Sequence, residues 1–305
     1  QRNLLWLDGL EQGDPPMSSR LEISRDYLEL FMQGRISRPR ISMDFPAEFI
    51  STELTGEDLV LSPSTIGQIA ELENWIKYQD TLMNTWNMKR WLKPGYRALF
   101  HGPPGTGKTL TALIIGKNTG RDVFRIDLSM VVSKFIGETE KNLSQLFECA
   151  QNKDWILFFD EADALFGKRT NVRDAHDKYA NQEVAYLLQR IENHNGLVIL
   201  ASNFKSNIDD AFIRRFQSVI HFPLPSPSER LQLWKNTLPT SVGLKRPQEA
   251  DLMTISRKYE MTGAGIVNVV QYCCLDSLAK QSGEISVEQI KSGIEREYQK
   301  EGKVF

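Results

Sequence analysis

The sequence predicts an α/β protein with a smaller helical domain behind it, and three observations carry that prediction. Short apolar runs alternate with helical periods between about residues 58 and 224, the pattern of a parallel sheet covered on both faces. After Pro223 and Pro225 the apolar runs stop, and helical periodicity alone continues. The first run also leads straight into a glycine-rich turn that opens a helix.

Taken in order, residues 1–57 read as an N-terminal segment or the end of an N-terminal domain. Asp14-Pro15-Pro16 interrupts the chain, Ile23 to Met32 has the spacing of a short amphipathic helix, and residues 35–50, rich in Arg and Pro, read as an extended connection. Ser62-Pro63-Ser64 precedes a helix over Thr65 to Lys77. Tyr78 to Lys93, with Trp86 and Trp91, reads as a packed surface helix rather than a cofactor box. Strands are expected at Arg97–Phe100, Asp122–Ile126, Trp155–Phe159, Leu197–Ala201 and Val219–Phe222. Helices are expected at 107–118, 138–151, 177–193 and 209–215, then at 228–239, 249–259, 263–281 and 286–299. The division is 1–57, an α/β domain over 58–224, and a helical domain over 225–305.

A chain of 305 residues suits this two-part body. Net charge is −2, so nothing global advertises a nucleic acid or an anionic membrane as partner. No apolar run reaches the roughly 18–20 residues of a membrane span, and no signal peptide is visible. Three cysteines, Cys149, Cys273 and Cys274, form no disulfide framework and read as buried small hydrophobes. Together these suit a reducing, cytoplasmic setting. The chain begins at Gln1 rather than Met, which suits a fragment or a processed product.

Residues 102–109 read GPPGTGKT. A glycine-rich turn between strand and helix points backbone N–H groups at phosphate oxygens at the positive end of the helix. Gly102, Pro103, Pro104, Gly105, Thr106, Gly107, Lys108, Thr109 and Leu110 are therefore the candidate ATP-binding set, with Lys108 for the β- and γ-phosphates and the Thr109 hydroxyl for Mg²⁺. Ile156 to Phe159 is a buried apolar run that delivers Asp160 and Glu161 at its C-terminal edge, the edge where ligands bind in such sheets. Asp160 can hold Mg²⁺ through water, and Glu161 can orient or deprotonate an attacking water. A further run, Ile199 to Ser202, ends in Asn203, whose amide can bond both the catalytic acid and a phosphate without adding charge. Arg214 and Arg215 follow an acidic helix start. They suit either a solvated helix end or a finger inserted into a neighbour's site.

With these residues in place, the chain resembles the AAA ATPases over residues 58–305. GPPGTGKT at 102–109, FFDEAD at 158–163, the stretch from Ser202 to Phe216 and Thr262-Gly263-Ala264-Gly265-Ile266 carry the resemblance. It implies a five-stranded nucleotide domain, a four-helix lid and a ring, usually a hexamer, with ATP at subunit junctions. Gly263 and Ala264, which by this resemblance complete the candidate ATP-binding set, stand where clamp loaders carry a sensor arginine, which implies a protein-remodelling member rather than a DNA-replication one. Ser133 to Asn142 resembles the family's first pore loop, in which an aromatic beside a basic residue grips a polypeptide, so Lys134, Phe135 and Ile136 are the candidate client contacts. Gly167 to Tyr179 reads either as a second pore loop or as a solvated loop. The run from Asp174 to Glu192 resembles a bacterial single-module subgroup, some of whose members are encoded beside contractile injection systems.

Two departures stand out. The family usually spaces its finger arginines as Arg-Pro-Gly-Arg, whereas Arg214 and Arg215 are adjacent. The Asp-Gly-Phe turn that couples neighbours in some members is replaced by Glu192-Asn193-His194-Asn195-Gly196. The leading expectation is a ring-forming motor that threads or remodels a protein client. The alternatives are an ATP-dependent assembly factor or switch, and a nucleic-acid motor or loader, against which the net charge and Gly263-Ala264 both count.

Overall fold

The computed structural model describes residues 45–126, 128, 138–151, 153–163, 175–203, 210–240 and 245–303, together with two short strands and a few single residues before 45. Those two strands, β1 (Leu5–Asp8) and β2 (Arg20–Ile23), pair antiparallel, Leu5 opposite Ile23. Ile23 thus ends a strand, and most of the helix expected over Ile23 to Met32 lies outside the described residues.

The centre is a six-stranded sheet in the order β3-β5-β6-β7-β4-β8. The strands β4 (Tyr96–His101), β5 (Val123–Ile126), β6 (Ile156–Phe159), β7 (Leu197–Ser202) and β8 (Ser218–His221) are the five expected from the apolar runs, and every pair among them is parallel. The sixth is an addition: β3 (Ala47–Ile50) lies antiparallel to β5 at the edge. It comes from the stretch that reads in sequence as an extended connection.

Period-two alternation sends successive side chains to opposite faces of a strand, and two cores result. Leu99, Phe124, Leu157, Phe159 and Val198 face α3 (Glu138–Ala150) and α4 (Ala175–Asn193), where Leu143, Leu146, Leu187 and Ile191 are buried. Ala98, Phe100, Ile156, Phe158 and Ile199 face the other way. They meet α1 (Pro63–Asp80) and α2 (Lys108–Thr119) through Ile69, Leu72, Ala112 and Ile115. Helix α1 starts where Ser62 accepts from the Thr65 N–H and Pro63 occupies the first turn, the favoured use of both residues.

Past α1 the chain departs from the packed helix expected over Tyr78 to Lys93. A π turn (Thr81–Thr85) is followed by Asn87 at φ 56° and a 3-10 turn (Met88–Arg90). The left-handed Asn87 redirects the chain, and Trp86 and Trp91 are left 70% and 82% exposed. A four-residue helix, α5 (Asp210–Ile213), stands where a longer one is expected over 209–215.

The C-terminal part is helical: α6 (Pro227–Thr237), α7 (Glu249–Lys258), α8 (Gly263–Ala279) and α9 (Val287–Lys300). Trp234, Ile266, Val269, Cys273, Ile290 and Ile294 form its core. Of the cysteines, only Cys273 is fully buried, and burial pushes its thiol up to about 12. Cys149 is exposed near the end of α3, contrary to the expectation that all three are buried. No described helix is long and apolar enough to cross a membrane.

Candidate active site

The phosphate loop joins β4 to α2, and its shape needs glycine. Gly102, Gly105 and Gly107 have φ of 151°, 74° and 96°, a region costly for residues with a Cβ. A Cβ on Gly102 would lie 2.1 Å from the Phe222 carbonyl oxygen. Gly107 caps α2, so the free N–H groups of the helix open onto the loop.

Lys108 is 7% exposed. Its Nζ donates to the Gly102 carbonyl at 2.7 Å, to the Pro103 carbonyl at 2.9 Å and to Asn203 Oδ1 at 3.1 Å. Burial lowers its pKa, while Asp160 and Asp163 raise it. Thr106 Oγ1 donates back to the Pro103 carbonyl at 2.8 Å. Thr109 Oγ1 lies 3.4 Å from Asp160 Oδ2, which places two hard oxygens side by side at the edge of the sheet.

Glu161 follows with φ 51°, a conformation rare for a residue other than glycine and concentrated at functional sites. Its N–H donates to Asp160 Oδ1 at 3.0 Å. The third acid of the run, Asp163, has a part that sequence reasoning did not assign. It accepts from the Asn203 N–H, at 2.9 Å for Oδ2, and from the Ser202 hydroxyl. Asn203 is thereby held by Asp163 on one side and bonded to Lys108 on the other. The run FFDEAD carries Asp163, but its partners lie about forty positions away, so spacing alone does not reveal them.

The C-terminal helical part touches the loop. The Ala264 N–H donates to the Gly105 carbonyl at 3.2 Å, and Thr262 caps α8 through the Gly265 N–H at 3.2 Å. A cavity of about 80 Å³ lies beside Gly105, Thr106, Gly107, Leu110 and Gly263, walled by Leu59, Leu61 and Leu233. Leu59, Leu61 and Leu233 are a second omission of the sequence reading. Their apolar character suits the base of a nucleotide better than its phosphates.

The larger cavity, about 390 Å³, is elsewhere. It lies at the N-terminal ends of the strands and is lined by Arg121, Glu148, Lys153, Asp154, Arg190 and His194. Its charges are largely matched, Arg121 to Asp154 at 3.5 Å and Arg190 to Glu148 at 4.0 Å, and it takes no part in the phosphate site.

Arg214 and Arg215 are exposed and also lie at that far end of the sheet. Three residues later Ser218 pairs with Ala98, and Gly102 is four residues further along β4. At about 3.3 Å per residue that last step alone spans roughly 13 Å, longer than an arginine side chain. Neither guanidinium reaches this chain's own loop. Lys134, Phe135 and Ile136, and residues 167–174 of the second loop, lie outside the described residues.

The phosphate loop, the acidic strand edge and the lid contact are what decide the family. Residues 98–224 form an AAA ATPase domain. This stretch matches the family described as "ATPase family associated with various cellular activities (AAA)". An uncharacterised AAA family ATPase of Sinorhizobium fredii is 34% identical over 189 residues, which cover 61% of this chain and 55% of that protein. The proteasome-activating nucleotidase of Aeropyrum pernix is 32% identical over 218 residues, 67% of this chain and 51% of its own. A human katanin p60 ATPase-containing protein, of the A-like 1 type, is 27% identical over 305 residues, 96% of this chain and 58% of its own. The chain thus spans a little over half the length of these relatives.

The residues present fit a magnesium nucleotide. The Lys108 ammonium and the start of α2 would supply the positive side. Thr109 and Asp160 would supply the one or two protein oxygens that Mg²⁺ takes when phosphates and water complete its shell. No cluster of three or more His, Cys, Asp or Glu suited to an all-protein metal site occurs among the described residues.

Proposed function

We propose that the chain is a Mg²⁺-dependent ATPase that works as a ring of identical subunits, a hexamer in this reading, and uses hydrolysis to remodel or thread a protein client. Residues 58–224, with β3 added to the sheet, bind and hydrolyse ATP, and 225–305 act as the lid that Gly263 and Ala264 dock on the loop. Lys108 binds the β- and γ-phosphates, Thr109 and Asp160 hold Mg²⁺, Glu161 orients and deprotonates the attacking water, and the Asn203 amide bonds the catalytic acid and the γ-phosphate.

The observation that carries the reading is the separation of the two halves of the site. The phosphate loop is complete at one end of the sheet, while Arg214 and Arg215 sit at the other, out of its reach. In this reading an arginine that stabilises the transition state comes from a second copy, through a head-to-tail contact whose rotation closes into a ring. Relatives whose names refer to the proteasome and to katanin support a protein client. Lys134, Phe135 and Ile136 are its proposed contacts.

Glu161→Gln keeps the shape of the side chain and removes the base. The variant is expected to bind ATP and assemble as the wild type does, and to turn over about 10²–10⁴-fold more slowly. Nucleotide titration and phosphate release on one preparation separate the two. Unchanged turnover per bound ATP would remove Glu161 from this role.

A further inference from the structure

The two adjacent arginines are held differently. Arg215 Nη1 donates to Glu192 Oε1 at 2.6 Å, and the Arg215 guanidinium lies 6.0 Å from the centre of the Phe212 ring. Glu192 is the penultimate residue of α4, and its carbonyl accepts from Arg97 Nη1 at 2.8 Å. Arg97 is 5% exposed. Its backbone N–H and its Nε both donate to Gln217 Oε1, at 2.9 and 3.1 Å, and its carbonyl accepts from the Gln217 N–H at 3.0 Å. The turn after α5 is therefore fastened at two points, by Arg215 to the end of α4 and by Gln217 to the start of β4. Phe212, Ile213 and Phe216 pack against the core beneath it. Arg214 is exposed, and its side chain makes no hydrogen bond or ion pair with any described residue.

We propose that Glu192 is a positioning residue for ATP hydrolysis: its ion pair with Arg215 fixes the turn after α5, and Arg214 is the guanidinium that enters the site of a second copy. The proposal rests on the reading that a finger acts between subunits. Three physical points support the division of labour. An arginine already paired has to break that pair before it can meet a phosphate, whereas Arg214 has no such contact to lose. Both members of the Glu192–Arg215 pair are partly exposed, 30% and 43% in their side chains, and pairs of this kind add little to stability. Their effect is orientation, and displacing a reacting group by about 1 Å costs on the order of 10² in rate.

The test uses the full chain with ATP and Mg²⁺ and reads kcat, KM and melting temperature for each variant. Arg214→Ala is expected to lose roughly 10³-fold or more in kcat. Arg215→Ala and Glu192→Ala are each expected to lose roughly 10–10²-fold, with KM and melting temperature close to wild type. The exchanged pair Glu192→Arg with Arg215→Glu restores the contact with reversed sign and is expected to recover most of the lost kcat. A merely structural pair would move the melting temperature instead. No recovery in the exchanged pair overturns the proposal, as does a normal kcat in Arg214→Ala when Arg215→Ala is inactive. If Arg214→Ala with Arg215→Ala together turn over at the wild-type rate, the finger reading itself fails.

Discussion

His194 follows α4 with its ring buried, 5.5 Å from the ring centre of Phe147, and its Nε2 has no hydrogen-bond partner among the described residues. A Cβ on Gly196 would lie 2.6 Å from that nitrogen, so the backbone there leaves no room for a larger residue. Burial, with the charge of Arg97 second, lowers the imidazole from 6.5 to about 4. The fold thus holds the neutral form, while the unfolded chain takes up a proton near 6.5. Stability from this group is complete above that pH and declines as pH falls toward 4, by about 3 kcal/mol over the whole window. Urea midpoints at pH 7.5, 6.5 and 5.5 check this, since most carboxylates titrate below that range. The wild type is expected to weaken toward pH 5.5, and His194→Gln to do so with a much flatter slope. Parallel slopes would count against the assignment. Nothing in the sequence around His194 announces this behaviour, because burial is set by Phe147 and Gly196 through the fold. Lys108 and Asp160 are legible for the opposite reason: their chemistry is written into a contiguous motif.

At the level of elements, the five parallel strands and the lid helices were legible because each carries its own periodicity and its own stop signals. Ser226 and Ser286 each form a capping box with the residue three places on, a local signature. Strand β3 was not legible, since it is four residues long with only Ala47 fully buried, and its partner β5 lies more than seventy positions away. Gly105 and Ala264 were both candidates for the site, but the hydrogen bond that joins them was equally hidden, because they lie far apart in the sequence. That contact gives a prediction with an internal control. Alanine at Gly105, φ 74°, puts a Cβ 2.8 Å from Ala264 Cβ, whereas alanine at Gly120, φ 66°, meets nothing within 4 Å. Both substitutions carry a left-handed backbone cost of roughly 1–2 kcal/mol. Only Gly105→Ala is expected to disturb the seating of the lid. Its ATP affinity should fall at least tenfold, a shift of about 1.4 kcal/mol, while Gly120→Ala binds normally and merely melts earlier. Equal affinities in the two variants would mean that the lid contact does not shape the nucleotide site.

At the level of the whole molecule, the open choice is between a motor that pulls on its client and a switch that binds ATP, assembles and holds a partner without threading it. The phosphate site serves both, so the decision belongs to a residue outside it. Phe135, flanked by Lys134 and Ile136, is the proposed client contact on which it turns. A flat aromatic contacts varied side chains over a large area at little entropy cost, which suits a grip that must accept any sequence. Phe135→Ala removes that area and leaves Lys108, Asp160, Glu161 and both arginines as they are. In a motor, basal ATP turnover and assembly survive this change while client-stimulated turnover and client processing collapse, and Phe135→Tyr retains much of both. In a switch, Phe135→Ala is silent. The measurement pairs ATP turnover with client processing on the same preparation, with melting temperature as the control for folding. Undiminished client processing by a folded Phe135→Ala protein would sink the threading mechanism, because no other aromatic stands within three positions of that site to take over the contact.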